Sequence, residues 1–251
     1  MAPSLETRDL TIRFGGHVAV DGVTCAFRPG ELTAIVGPNG AGKTTYFNLI
    51  SGQLRATSGA VFLRGRDIAR LDAPGRARLG LGRAFQLTNL FPNLSVFENV
   101  RLACQVRAGV HYEMRHVWDD RRDINAAAQA TLARVGLAAR AASPVVALSQ
   151  GDQRKLEVAM MMALEPDILM FDEPTAGMSV DEAPIVLDLI AELKRDPTRT
   201  ILLVEHKMDV VRLLADRIVV LHNGRLAADG APAEVMASNI VRDAYLGAGA
   251  T

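Results

Sequence analysis

Short apolar runs bounded by turn residues alternate with stretches of helical period along this chain. Leu5 to Phe14 and Val18 to Phe27 show partial alternation and predict two strands joined at Gly15-Gly16. Leu32 to Val36, closed in by Pro29-Gly30 and Gly37, is too short for a helix and predicts a buried strand. A glycine-rich turn follows, then a helix from about Gly42 to Ile50 that ends near Gly52. Ala60 to Leu63 predicts a strand entering a tight turn at Arg64-Gly65-Arg66, Pro74 to Leu81 a short helix, and Arg83 to Phe85 a brief strand with Gln86 at its end.

From Leu90 to about Leu164 the pattern is helical, alanine-rich over Ala126 to Val135 and without a clear strand. Ile168 to Phe171 and Thr200 to Val204 return to buried strands, and Pro184 to Leu193 predicts a helix whose stripe of Val186, Leu187, Ile190 and Leu193 faces a core. Asn223-Gly224 between Arg217 to Leu221 and Arg225 to Ala228 is the signal for a two-residue hairpin turn. Glu234 to Leu246 predicts a last helix. The sum is an α/β chain in which a helical subdomain, 88–165, is inserted into a core made of 1–87 and 166–251.

Composition narrows the classes. With 251 residues, 49% of them hydrophobic, the chain can bury a substantial core. Twenty-eight Lys+Arg balance 28 Asp+Glu, so no overall basic field recommends a nucleic-acid partner. No run reaches the ~18 apolar residues of a membrane span, and the start lacks the pattern of a secretion signal, so a cytoplasmic protein is expected. Cys25 and Cys104 stand far apart without a CxxC, which fits small buried hydrophobes better than a disulfide or metal site. Residues 109–123 hold Trp118, His111 and His116 and are the least periodic stretch; the two histidines do not share a helix face, and a solvated loop or partner contact is expected there.

Chemistry concentrates at strand ends. Gly37, Gly40 and Gly42 allow the backbone to turn its N–H groups inward, and the helix opening at Gly42 adds the positive end of its dipole, together a cradle for phosphate. In that strand, GxxxxGK[ST], helix setting Lys43 reaches the β and γ phosphates and the Thr44 hydroxyl ligates Mg2+. Asp172 and Glu173 close an apolar strand, where carboxylates serve a cation or a base: Asp172 would hold Mg2+ through its shell and Glu173 position or deprotonate water. His206 ends another buried strand and is either structural or bonded to the γ phosphate. Phe14, beside two glycines, is either core or free to stack on a base. Ser149 with Asp152 three residues on forms a helix cap, and with Gly151 an anion contact is equally compatible.

Taken together, GPNGAGKTT at Gly37 to Thr45, Gln86, LSQGD at Leu148 to Asp152, ILMFDE at Ile168 to Glu173 and His206 resemble the ATP-binding cassette family over nearly the whole chain. The resemblance implies a P-loop NTPase core of mainly parallel sheet, an antiparallel β subdomain and an inserted helical signature subdomain. It also implies ATP and Mg2+ as cofactors. ATP would be held by Phe14, Gly37, Pro38, Asn39, Gly40, Ala41, Gly42, Lys43, Thr44 and Thr45, metal by Thr44, Gln86 and Asp172, with Glu173, His206 and Gln86 in the catalytic set.

Ser149, Gln150 and Gly151 would act on the nucleotide of a second cassette. RFGG, AFQLTNLFPNLSVFENV, AGM, VEH and the ending AYLG are similar to the ATP-binding subunit of branched-chain amino-acid importers. Urea and amide importers, the ATPase of lipopolysaccharide export and cytosolic cassette ATPases are the alternatives. That likeness implies two membrane permeases, a periplasmic solute-binding protein, no nucleic acid, and a peripheral place on the cytoplasmic face of a bacterial inner membrane. The signature departs from LSGGQ at Gln150 and Asp152, which implies weakened signature binding, and Ser179 replaces a common aspartate.

Overall fold

A computed structural model describes residues 2–84, 90–109 and 121–238. The chain forms two compact units: Met1–Arg83, Asp167–Glu173 and Lys194–Thr251 make the first, Ala84–Pro166 and Pro174–Leu193 the second.

The first unit carries two sheets. Strands β1 (Leu5–Phe14) and β2 (His17–Phe27) form an antiparallel hairpin, extended by β4 (Ser58–Leu63) and β5 (Arg66–Asp67) in the order β2-β1-β4-β5. The second sheet runs β10-β9-β3-β8-β7-β6, made of β3 (Leu32–Val36), β6 (Leu81–Ala84), β7 (Ile168–Asp172), β8 (Thr200–Val204), β9 (Arg217–His222) and β10 (Arg225–Gly230). β3 pairs in parallel with both β8 and β9, and β8 with β7, while β10 returns antiparallel on β9. Every residue of β3, β7 and β8 is buried because the sheet is covered on both faces, the reason these strands read as unbroken apolar runs.

Alternation sorts the two faces. Ile35, Met170, Leu202, Val204, Val219 and Leu221 join a core with Leu5, Leu10, Val23 and Phe27 of the antiparallel sheet. Ala34, Val36, Ile218 and Val220 point the other way, onto Val211 of helix α7 (Met208–Leu214) and Val235 of α8 (Pro232–Ala237). Helix α1 (Lys43–Ser51) contributes Tyr46, Phe47, Leu49 and Ile50 to the larger core, each worth about 1.5–3 kcal/mol relative to exposure. The Tyr46 hydroxyl is satisfied at 2.8 Å by Thr7. α1 stops at Gly52, φ 81, and buried Arg76 of helix α2 (Ala73–Ala77) donates to its last carbonyls, Leu49 and Ile50, each at 2.6 Å.

The second unit is helical. Among the described residues its helices are α3 (Val96–Arg107), α4 (Arg122–Arg134), α5 (Gln150–Leu164) and α6 (Ala183–Lys194, its last residue grouped with the first unit). Two 3-10 turns, Ala138–Arg140 and Val145–Ala147, precede α5. α3 opens on a capping box between Ser95 and Glu98 and packs on α4 and α5.

Several expectations shift. The helix read over Pro74 to Leu81 ends at Ala77, because Gly80 takes φ 92 and Leu81 enters β6. The α6 stripe is Val186, Leu189, Ile190 and Leu193; Leu187 lies half-buried beside it, one position out of phase. Of the helix read over Glu234 to Leu246, the described part is α8, which starts two residues earlier at Pro232 and runs to Ala237; residues 239–246 lie outside the described residues. Phe85, Gln86, His111, His116, Trp118 and the AYLG ending lie outside the described residues. Cys25 and Cys104 are buried free thiols, and burial pushes Cys25 up to about 12. No helix among the described residues is long and apolar enough to cross a membrane.

Candidate functional site

The turn between β3 and α1 is held by close backbone approaches. Gly37 has φ 155, and a Cβ there would meet the Leu221 carbonyl; Gly42 has φ 94, and a Cβ there would meet the Ala19 carbonyl. No side chain caps α1, so its first N–H groups stay open at the positive end of the helix dipole. Lys43 Nζ donates to the carbonyls of Gly37 at 2.7 Å and Pro38 at 3.0 Å, which folds the lysine across the turn. Burial pulls its ammonium below the ordinary lysine value, against the attraction of Glu173 and Asp172.

This turn forms one wall of a cleft of about 410 Å³ lined by Phe14, His17, Ala19, residues 39–45 and Glu173. Phe14 is half exposed at the end of β1, so the core alternative does not describe its position. His17 is its cross-strand partner and shares the cleft. His17 carries no motif of its own in the sequence, and only the two-residue turn at Gly15-Gly16, which sets positions 14 and 17 opposite each other, signals its place here.

At the end of β7, Asp172 is buried and Glu173 is half open. Burial raises the Asp172 carboxyl above the usual carboxylate range, and the guanidinium of Arg83, 2.7 Å away, opposes that rise. Glu173 takes φ 50, a conformation uncommon for a residue with a side chain, pinned by its N–H to the Val204 carbonyl at 2.9 Å. β7 and β8 are paired neighbours, so His206 follows β8 beside it: its Nδ1 lies 3.8 Å from Glu173 Oε1 and 3.5 Å from Glu205 Oε2. Glu205 is fully buried and accepts the N–H groups of His206 at 2.7 Å and Lys207 at 3.1 Å, which fixes the chain at that strand end.

A family model described as ABC transporter matches residues 20–176. This chain belongs to the ABC transporter family. It is 40% identical to the high-affinity branched-chain amino acid transport ATP-binding protein LivG of Salmonella typhimurium over 250 residues, 98% of each chain. It is 38% identical to BraF, the protein of the same description from Pseudomonas aeruginosa, over 98% of each chain. In three dimensions it is similar to the ADP conformation of MJ1267, an ATP-binding cassette of an ABC transporter, with a TM-score of 0.83, 26% identity, and 98% of this chain and 100% of that one covered. The cassette is an ATP-binding ATPase whose hydrolysis is coupled to transport, and the expected α/β P-loop NTPase fold is the one observed.

The residues expected from the sequence to form the signature, Ser149 to Gly151, open α5 in the helical unit. Ser149 is the N-cap, its hydroxyl accepting the Asp152 N–H at 3.1 Å. Asp152 in turn pairs with Lys155 at 2.9 Å, so its charge opposes an anion less than the bare sequence implies. The Gln150 amide lies against Gly177, and the Glu182 carboxylate, which also accepts the Ser179 hydroxyl at 3.0 Å, lies against Gly151. Arg83, read from the sequence only as a strand residue, proves to be the direct partner of Asp172.

Proposed function

We propose that this cassette is the ATP-hydrolysing subunit of a branched-chain amino-acid importer. It would work on the cytoplasmic face of a bacterial inner membrane with two permeases and a second cassette, either a copy or a paralogue. A periplasmic solute-binding protein would be reached through the permeases. The reading is supported by one juxtaposition, Phe14, the turn residues Asn39 to Thr45 and Glu173 around a single cleft, in a chain with the LivG likeness along nearly its whole length.

In this reading Phe14 stacks on adenine, the open N–H groups of the turn and Lys43 hold the phosphates, and Ser149, Gln150 and Gly151 serve the partner's nucleotide. Mg2+ belongs to the same site. The Thr44 hydroxyl and Asp172 carboxylate are hard oxygen donors, the ligand class that Mg2+ takes. The ion supplies Lewis-acid neutralisation of phosphate charge when bound. Glu173 orients or deprotonates the attacking water, His206 bonds the γ phosphate, and Gln86 links site and permease. Residues 1–87 and 166–251 are the ATPase core and 88–165 the signature subdomain. Because Ser149 and Gly151 of the other cassette complete the phosphate site, a single chain binds ATP weakly and hydrolyses it slowly.

The test is ATP hydrolysis by the transporter purified from membranes through this chain. Stimulation by leucine, isoleucine or valine with the solute-binding protein is expected; stimulation by urea or short amides alone would transfer the cassette to another importer.

A further inference from the structure

No motif asks for an arginine at position 83, yet it is among the most engaged side chains of the ATPase core. It lies on β6 with its side chain 7% exposed, and its Nη2 donates to Asp172 Oδ2 at 2.7 Å. Its Nη1 donates to Asn48 Oδ1 at 2.6 Å, Ser51 Oγ at 2.8 Å and Gln53 Oε1 at 3.1 Å, and the guanidinium lies 5.5 Å from the centre of the Phe47 ring. A cation needed only to neutralise a buried carboxylate would require the first of these contacts and none of the others.

The remaining contacts have a direction. Asn48 and Ser51 lie on α1, and Asn48 is four residues after Thr44, hence on the same face of that helix one turn along. The guanidinium therefore ties the helix carrying the Thr44 hydroxyl to the strand end carrying the Asp172 carboxylate. Both are the residues read above as the magnesium ligands. Arginine suits this task where lysine does not, because its planar fork presents donors in fixed directions to two elements at once. It occupies one carboxylate oxygen, Oδ2, and orients the other.

We propose that Arg83 is a positioning residue for the divalent cation, bracing α1 against β7 so that Thr44 and Asp172 meet the ion at a set separation. The inference rests on the assignment of Thr44 and Asp172 to magnesium. Its test is therefore a titration that reports on the ion as well as on turnover.

ATP affinity of the intact chain is measured with a fluorescent ATP analogue, in EDTA and across a magnesium series, for the native protein and the Arg83→Met, Arg83→Lys and Asp172→Asn variants. Arg83→Met is expected to bind metal-free nucleotide like the native chain but to need about tenfold more magnesium to tighten it, the usual loss when a residue behind a metal ligand is removed. Arg83→Lys, which keeps the charge and loses the fork, should fall between them. An unchanged magnesium requirement in Arg83→Met overturns the proposal. So does an equal fall with and without metal in Arg83→Lys, the mark of a purely structural arginine. If circular dichroism shows Arg83→Met unfolded, Arg83→Lys alone decides. A shift in Asp172→Asn with none in the arginine variants sinks only the role of Arg83, whereas no shift in Asp172→Asn removes the magnesium assignment and the inference with it.

Discussion

The glycine turn offers a paired perturbation whose outcome follows from backbone geometry. Gly40 and Gly42 have φ 79 and φ 94, so alanine at either position bears the same left-handed penalty, about 1–2 kcal/mol. They differ in space. A Cβ at Gly40 meets nothing within 4 Å, whereas one at Gly42 falls under 3.0 Å from the Ala19 carbonyl and 3.4 Å from Gly224 Cα. Neither obstacle yields easily, since Gly224 is tied by its N–H to the Ala41 carbonyl at 3.1 Å and by its carbonyl to the Asp21 N–H at 2.8 Å. Overpacking against backbone of this kind costs about 1–3 kcal/mol more. Gly42→Ala should thus lose about 2–5 kcal/mol and Gly40→Ala about 1–2 kcal/mol. Urea unfolding without nucleotide measures the difference, with midpoints compared at equal slope. Equal losses within about 0.5 kcal/mol would refute the claim that the turn is wedged between β2 and the β9–β10 hairpin, since that is the usual spread of independent effects.

Three further outcomes are expected. Glu173→Gln should keep nucleotide affinity while turnover in the assembled transporter falls at least about 100-fold, the usual share of a general base; hydrolysis at the native rate removes Glu173 from that role. Cys25, raised to about 12 by burial, should resist iodoacetamide at pH 8 in the folded chain and react once urea unfolds it, as mass spectrometry of the labelled peptides would report. Burial also raises the Glu157 carboxyl against the pull of Arg154. The folded state then holds this proton more tightly than the unfolded one, so its stabilising share is present below the ordinary value of 4.5 and lost as pH rises through the raised one. Glu157→Gln should flatten that fall, and parallel stability-against-pH curves for the two proteins would contradict it.

What the sequence made legible is local. The wedge of Gly37, Gly40 and Gly42 between an apolar run and a helix announces itself because the backbone requirement is written in the spacing, and the Asn223-Gly224 hairpin for the same reason, with φ 48 and φ 76 as its turn needs. Strand order was hidden: β3 lies between β8 and β9, partners far along the chain, and nothing in Leu32 to Val36 names them. Arg83 was hidden by the same cause, since an arginine on a short strand gains meaning only when β7 and α1 arrive around it. Leu187 and Leu189 differ by helix phase alone, which apolar identity does not encode. The exposed ring of Phe14 and the companion His17 became readable once the hairpin register was fixed.

The central claim is that the cleft beside Gly37 to Thr45 is completed by Ser149 and Gly151 of another cassette. ATP hydrolysis per chain, followed over a hundredfold dilution of the purified protein at saturating MgATP, addresses it directly. A specific rate that falls on dilution, as paired chains separate, is the expected result. A specific rate independent of concentration, from a species shown to be monomeric by light scattering, would mean that one chain holds a complete site.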